Sequence, residues 1–156
     1  MPDNRLLTVC RLLNKQHAKY LVVGGFALNL HGLIRATKDV DLLIPRDEIN
    51  ARKVLSALVH LTFGISKELD PKEVANKPCT IIGDIPRVDL LTVAGKIKYS
   101  EAVKHAKKVR IRGVWIPFVD IPTLIATKNT DRLQDKADIE RLSAILQQEN
   151  PKERKK

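Results

Sequence analysis

YLVVGGFALNLHGLIRATKDVDLLIP, residues 20–45, is the stretch from which the fold is read. It opens as an apolar strand over 20–23, turns at Gly24-Gly25 into a short helix over 26–32, and after a loop enters a second strand over 39–44 that Pro45 ends. Alternation puts Asp39 and Asp41 on one side of that strand and Val40 and Leu42 on the other, buried side. Two carboxylates aimed at one spot repel each other and resist desolvation. A cation between them, or a place at the strand's exposed end, relieves this. Oxygen-only ligands suit magnesium or manganese. The diglycine lets the backbone pass close beneath a ligand, and the helix after it offers unpaired amides to a phosphate. A metal and triphosphate site is the expectation.

Those residues carry a resemblance. Gly24-Gly25, the thirteen residues 26–38 and then Asp39-Val40-Asp41-Leu42 resemble the signature of the nucleotidyltransferase superfamily, which includes DNA polymerase beta, the tRNA-terminal transferases and kanamycin nucleotidyltransferase. More narrowly, the run Arg35-x-Thr37-x-Asp39-x-Asp41 and the later Arg132-Leu133-Gln134-Asp135-Lys136-Ala137-Asp138-Ile139 are similar to small prokaryotic nucleotidyltransferase-like proteins related to abortive-infection toxins of toxin-antitoxin pairs. The likeness runs from about residue 20 to residue 142.

The resemblance implies an α/β (α+β) fold, a small mixed, mostly antiparallel sheet flanked by helices. It implies two magnesium or manganese ions on Asp39, Asp41 and a third carboxylate from a later strand, with an NTP, ATP among them, as substrate. Asp89 in Arg87-Val88-Asp89-Leu90-Leu91 matches that third position, and alternation sets Arg87, Asp89 and Leu91 on one strand face. Asp84 competes for the role, but a Gly83-Asp84 hairpin turn is reason enough for an aspartate there. In the two-metal scheme one ion activates the acceptor hydroxyl and the other stabilises the leaving pyrophosphate. Gly24, Gly25 and Lys128 fall at the nucleotide phosphates by resemblance. The common family form has Ser where this chain has Gly25, so phosphate binding here falls to backbone and cations. Arg35 and Thr37 either reach the anionic ligand or pair with Asp39 or Asp41 to hold the strand end.

Composition narrows the setting. The 156 residues suit one domain over 1–148, with a basic, disordered tail over 149–156. No apolar run is long enough for a membrane span, the opening residues do not read as a leader, and a cytoplasmic protein is expected. Cys10 and Cys79 lie far apart without metal-ligand spacing and are expected as packed thiols. A formal charge of +10 favours polyanions, yet lysine also serves solubility.

The rest of the chain fills in around the site. A helix over 3–17 presents Leu6, Cys10 and Leu13, widened by Val9 and Leu12, with His17 as a surface or capping residue. His31 either touches a phosphate or bonds backbone at a helix end. A helix over 47–60 offers Ile49, Val54, Leu55, Leu58 and Val59 for burial, and 61–77 reads as loop with a short helical turn. Residues 80–82 and 87–91 form a hairpin, 99–106 a helix, and 107–111 with 114–119 a second hairpin about Arg112-Gly113. The basic cluster Lys104, Lys107, Lys108, Arg110 and Arg112 reads as a solvated face, since no aromatic residue interleaves it, with a nucleic-acid track as the competing reading. Trp115 is expected to anchor the core, with stacking on a base as the competing reading. A helix from Asp120, its N-cap, to 129 would set Lys128 and Arg132 on one face if it persists. In the last helix, 135–148, Arg132, Asp135, Lys136 and Asp138 either tie two helices together or contact ligand.

Two functions follow. One is nucleotidyl transfer to an acceptor hydroxyl on an RNA or tRNA end or on a protein. The other is a non-catalytic or regulatory module with an antitoxin-like partner chain.

Overall fold

The computed structural model describes residues 4–62, 64–83, 86–128, 130 and 132–149. The expected tail beyond Glu149 and the competing Asp84 lie outside the described residues. Six strands form one mixed sheet: β1 (Leu21–Val23), β2 (Val40–Leu43), β3 (Cys79–Ile82), β4 (Val88–Leu91), β5 (Lys107–Ile111) and β6 (Val114–Phe118), in the order β3-β4-β2-β1-β6-β5. Three pairings are antiparallel, and β1 with β6 and β2 with β4 run parallel. The β5–β6 turn is the expected Arg112-Gly113, with φ of 50° and 79°. Left-handed angles at both positions match the twist of a two-residue hairpin.

Helices cover the sheet. α1 (Asn4–Lys15) buries Leu6, Leu7, Val9, Cys10 and Leu13, ends before His17, and packs on β6 and on α3 (Glu48–Ala57). Burial pushes the Cys10 thiol up to about 12, so it is an inert packed group. Cys79, expected to be packed as well, is exposed on edge strand β3. α3 is capped by Asp47, whose carboxylate accepts from the Ile49 amide at 2.9 Å. Ile49, expected to be buried, is 69% exposed because that cap turns it outward with the first turn. The 61–77 segment is more ordered than its scattered charges suggest. It holds a 3-10 turn (Ile65–Glu68) and α4 (Pro71–Asn76), with Asp70 as N-cap and Pro71 at the first helical position.

α2 (Gly24–Leu30) follows β1 directly and packs on β1 and β2. α5 (Tyr99–Ala102) runs on into a 3-10 turn. α6 (Ile121–Thr127) starts at the expected cap, Asp120 accepting from the Thr123 amide, and packs on α7 (Leu133–Glu149). β1 is buried along its whole length, so the core lies on both sides of the sheet's centre. Trp115 is not in it: the indole is 50% exposed, because Val114, Ile116 and Phe118 take the inward positions of β6. Among the described residues no helix is long and apolar enough to cross a membrane.

Candidate active site

Parallel pairing of β2 with β4 sets Asp41 directly beside Asp89. On its other flank Asp41 is in register with Val23, the last residue of β1, so its carboxyl overhangs the start of α2. Gly24 there has φ +67°, and a Cβ on it would stand 2.1 Å from Asp41 Oδ2. Only glycine fits. A Cβ on Gly25 would meet Thr37 Oγ1 at 2.8 Å and Thr37 Cβ at 3.0 Å, so a serine at 25 requires Thr37 to move. The diglycine is thus the first turn of the helix, wedged between Asp41 and Thr37, rather than a turn before it. Thr37 also reaches back to the Asp39 carbonyl, at 3.4 Å.

The carboxylates are unequal. Burial, then the charge of Asp89, a hydrogen bond shared with it and the charge of Asp39 push the Asp41 carboxyl up to about 7, against a smaller pull from Arg87. Arg87 Nε donates to Asp89 at 2.9 Å and lies 3.8 Å from Asp39. Asp39 sits just before β2 rather than in it. Arg87 therefore reaches both Asp39 and Asp89, and Asp89 lies beside Asp41. Among the described residues no three His, Cys, Asp or Glu side chains are gathered as a metal-ligating set. The Asp41–Asp89 pair by itself suits a hard divalent cation, because its donors are all oxygen and Asp41 is held back from ionising by burial and a like charge that a cation would offset.

Facing Asp41 across a hollow of about 290 Å³ are Lys128, Arg132 and Asp135. Lys128 Nζ stands 3.2 Å from Asp138 and 3.6 Å from Asp135. Arg132 Nε donates to Asp135 at 3.1 Å, and the Thr130 hydroxyl donates to it at 2.5 Å. Arg35 pairs with neither Asp39 nor Asp41. Its guanidinium makes a two-pronged bond to Asp138, one prong at 2.9 Å, while Asn29 accepts from its amide. Lys128 and Arg132 share no helix face, since α6 ends at Thr127; they converge because Asp135 receives both.

Hydrogen bonding by Thr130, helped by Lys128 and Arg132 against a desolvation cost, holds the Asp135 carboxyl below the usual range. Burial works to raise Asp138, and bonds from Arg35 and Lys128 outweigh it, so Asp138 is lowered too. Three cations against two carboxylates leave one positive charge in excess beside the hollow. The cluster ties the loop after α2, through Arg35, and the end of α6 to α7, which is the structural reading of these residues, while Lys128 and Arg132 still line the cavity.

His31 takes the backbone reading. It is buried, with Nε2 2.8 Å from the Val119 carbonyl and its ring edge-on to Phe118. Arg87 is the site residue that sequence reasoning assigned no role, although its place two residues before Asp89 on one strand face signalled the contact. The chain matches no family model and no curated protein.

Proposed function

We propose that this protein transfers a nucleoside monophosphate from an NTP to an acceptor hydroxyl and releases pyrophosphate, in the manner of the nucleotidyltransferase superfamily. The observation that carries the reading is the Asp41–Asp89 pair, two carboxyls side by side in register, of which Asp41 overhangs a glycine helix start and lies across a small cavity from two cations. A scaffold gains nothing from holding Asp41 where ionisation is costly.

Asp41 and Asp89 would hold a magnesium or manganese ion, and Asp39 joins them on release from Arg87. Bound metal supplies charge neutralisation of the phosphates and a more acidic acceptor hydroxyl. Asp89 accepts the acceptor's proton when that hydroxyl lies within hydrogen-bond reach. Lys128 and Arg132, across the hollow from Asp41, receive the negative charge that builds on the leaving pyrophosphate. Asp135 and Asp138 keep Lys128 in place. The α2 amides beyond Gly24 supply further donors.

A second reading, a regulatory module such as one half of a toxin-antitoxin pair with an antitoxin-like partner, draws support from Lys128, which two carboxylates already hold. Label transfer separates the two. Each of the four α-labelled NTPs is incubated with magnesium or manganese, total RNA and soluble protein, with Asp39→Ala/Asp41→Ala as control. Label in one fraction that the double variant abolishes supports transfer and reports nucleotide and acceptor class together. Its absence from both favours the regulatory module.

A further inference from the structure

We infer that the β5–β6 edge of the sheet binds single-stranded nucleic acid, with Trp115 as its stacking platform. This deepens the reading above by naming the acceptor class, and it rests on that reading only for the chemistry that follows binding.

The strand register builds the surface. Lys108 pairs with Pro117 and Arg110 with Trp115, and alternation sends these four side chains to one face while Val114, Ile116 and Phe118 point inward. The exposed indole has Lys108 Nζ 5.9 Å and Arg110 Cζ 5.8 Å from its ring centroid. A half-exposed tryptophan flanked by two exposed cations is an aromatic surface inside a basic one, the interleaving that the linear sequence hides. Beside it, a hollow of about 370 Å³ is lined by Lys19, Tyr99, Lys107, Lys108 and Pro117 among others, and among the described residues no carboxylate lines it, although Lys107 lies 3.8 Å from Glu149. Lys108 belongs to both features. Phosphates meet the lysines, a base meets the indole, and Tyr99 stands within the hollow as a second ring.

The same face leads toward the carboxylates. Phe118 is in register with Val22, and Val23 with Asp41, so Trp115, Pro117 and Asp41 share one side of the sheet. Four residues along the strands and two strand spacings across separate Trp115 from Asp41, roughly 16 Å between backbone positions. One nucleic-acid chain can touch both. An acidic protein strand added to the open β5 edge would use the same charges but has no need of the indole.

Trp115 is the chain's single tryptophan, so its emission reports on this surface alone. A mixed-sequence single-stranded oligonucleotide titrated into the full chain, without NTP or metal, is expected to quench that emission saturably. By the anisotropy of a labelled oligonucleotide, Trp115→Ala should weaken binding about tenfold and Trp115→Phe much less. Lys108→Ala/Arg110→Ala should reduce the slope of log affinity against log salt by about one to two.

Three outcomes overturn the inference: heparin binding as tightly as the oligonucleotide with Trp115→Ala unaffected, poly-glutamate quenching as strongly, or an equally strong response to a duplex of the same sequence. The first leaves a general polyanion surface, the second an acidic protein partner and the third a duplex binder. Absence of label transfer by the unaltered chain, while it still binds the oligonucleotide, counts against the chemistry and leaves this surface standing.

Discussion

Asp41 and Asp89 face each other across two parallel strands in exact register, and the shared burial holds Asp41 near a pKa of 7 while Arg87 grips Asp89 from the far side. The folded value of Asp41 is raised above its unfolded one. Its contribution is therefore fully present below the unfolded pKa and is lost as pH rises toward 7. Asp41→Asn removes the charge without changing the shape. It should raise Tm by several degrees at pH 8 and alter it little at pH 4, as thermal melts at the two pH values will read.

Divalent cations act on the same pair with the opposite preference, since they bind the ionised form. Magnesium or manganese should raise Tm at pH 8 more than at pH 6 and should release protons on binding. Calorimetry in buffers of different ionisation enthalpy counts those protons. An identical response from Asp41→Asn/Asp89→Asn would place the cation elsewhere.

Gly24 has two reasons to be glycine, and they separate experimentally. Gly24→Ala meets a left-handed φ and the Asp41 carboxylate, and should cost at least about 2 kcal/mol by denaturant unfolding. In Gly24→Ala/Asp41→Ala the 2.1 Å collision goes, while a tight 3.1 Å approach to the Cβ of residue 41 and the φ strain of about 1 kcal/mol stay. At the next position the close atoms are those of Thr37, so Gly25→Ser should destabilise and Gly25→Ser/Thr37→Ala should recover part of the loss, since the Cβ of residue 37 stays 3.0 Å away.

Asp138 is 1% exposed and binds Arg35 and Lys128 together. Removing it takes the carboxylate from Arg35 and leaves Lys128 with Asp135 alone, so Asp138→Ala should cost about 3 kcal/mol. Arg35→Lys should restore little, because one ammonium cannot make a two-pronged bond. The lowered pKa values of Asp135 and Asp138 give stability that is present above their unfolded pKa and lost as pH falls through the folded one, so this half of the protein should loosen first in acid. Hydrogen exchange at pH 3 against pH 7 will show it in α6 and α7.

What could be read from the sequence was what lies close together along the chain. Period-two patterning set Asp41 and Asp89 on their strand faces and marked both hairpins, and Asp120 marked its helix, because each follows from a few neighbouring residues, whereas the diglycine read as a turn and proved to be the helix start. Arg35 finds Asp138 from 103 positions away, and no local pattern carries that choice. Trp115 is a different kind of miss. The alternation of Val114, Ile116 and Phe118 already pointed it outward, and the expectation that a large ring belongs inside overrode a legible signal. Asp70-Pro71 similarly announced α4, hidden among scattered charges.

The sheet's central strand, β1, has one neighbour about twenty residues away and the other almost a hundred. As the chain leaves the ribosome, the β3-β4-β2-β1 half can pair once residue 91 has emerged, whereas the other side of β1 waits for β6. Loop closure makes that second pairing the slower one. The carboxylates would thus meet on a half-sheet with an open inner edge, the state most exposed to pairing with another nascent copy. Docking of β6 ends that exposure, and in a refolding experiment the tryptophan signal should trail the formation of the carboxylate strands.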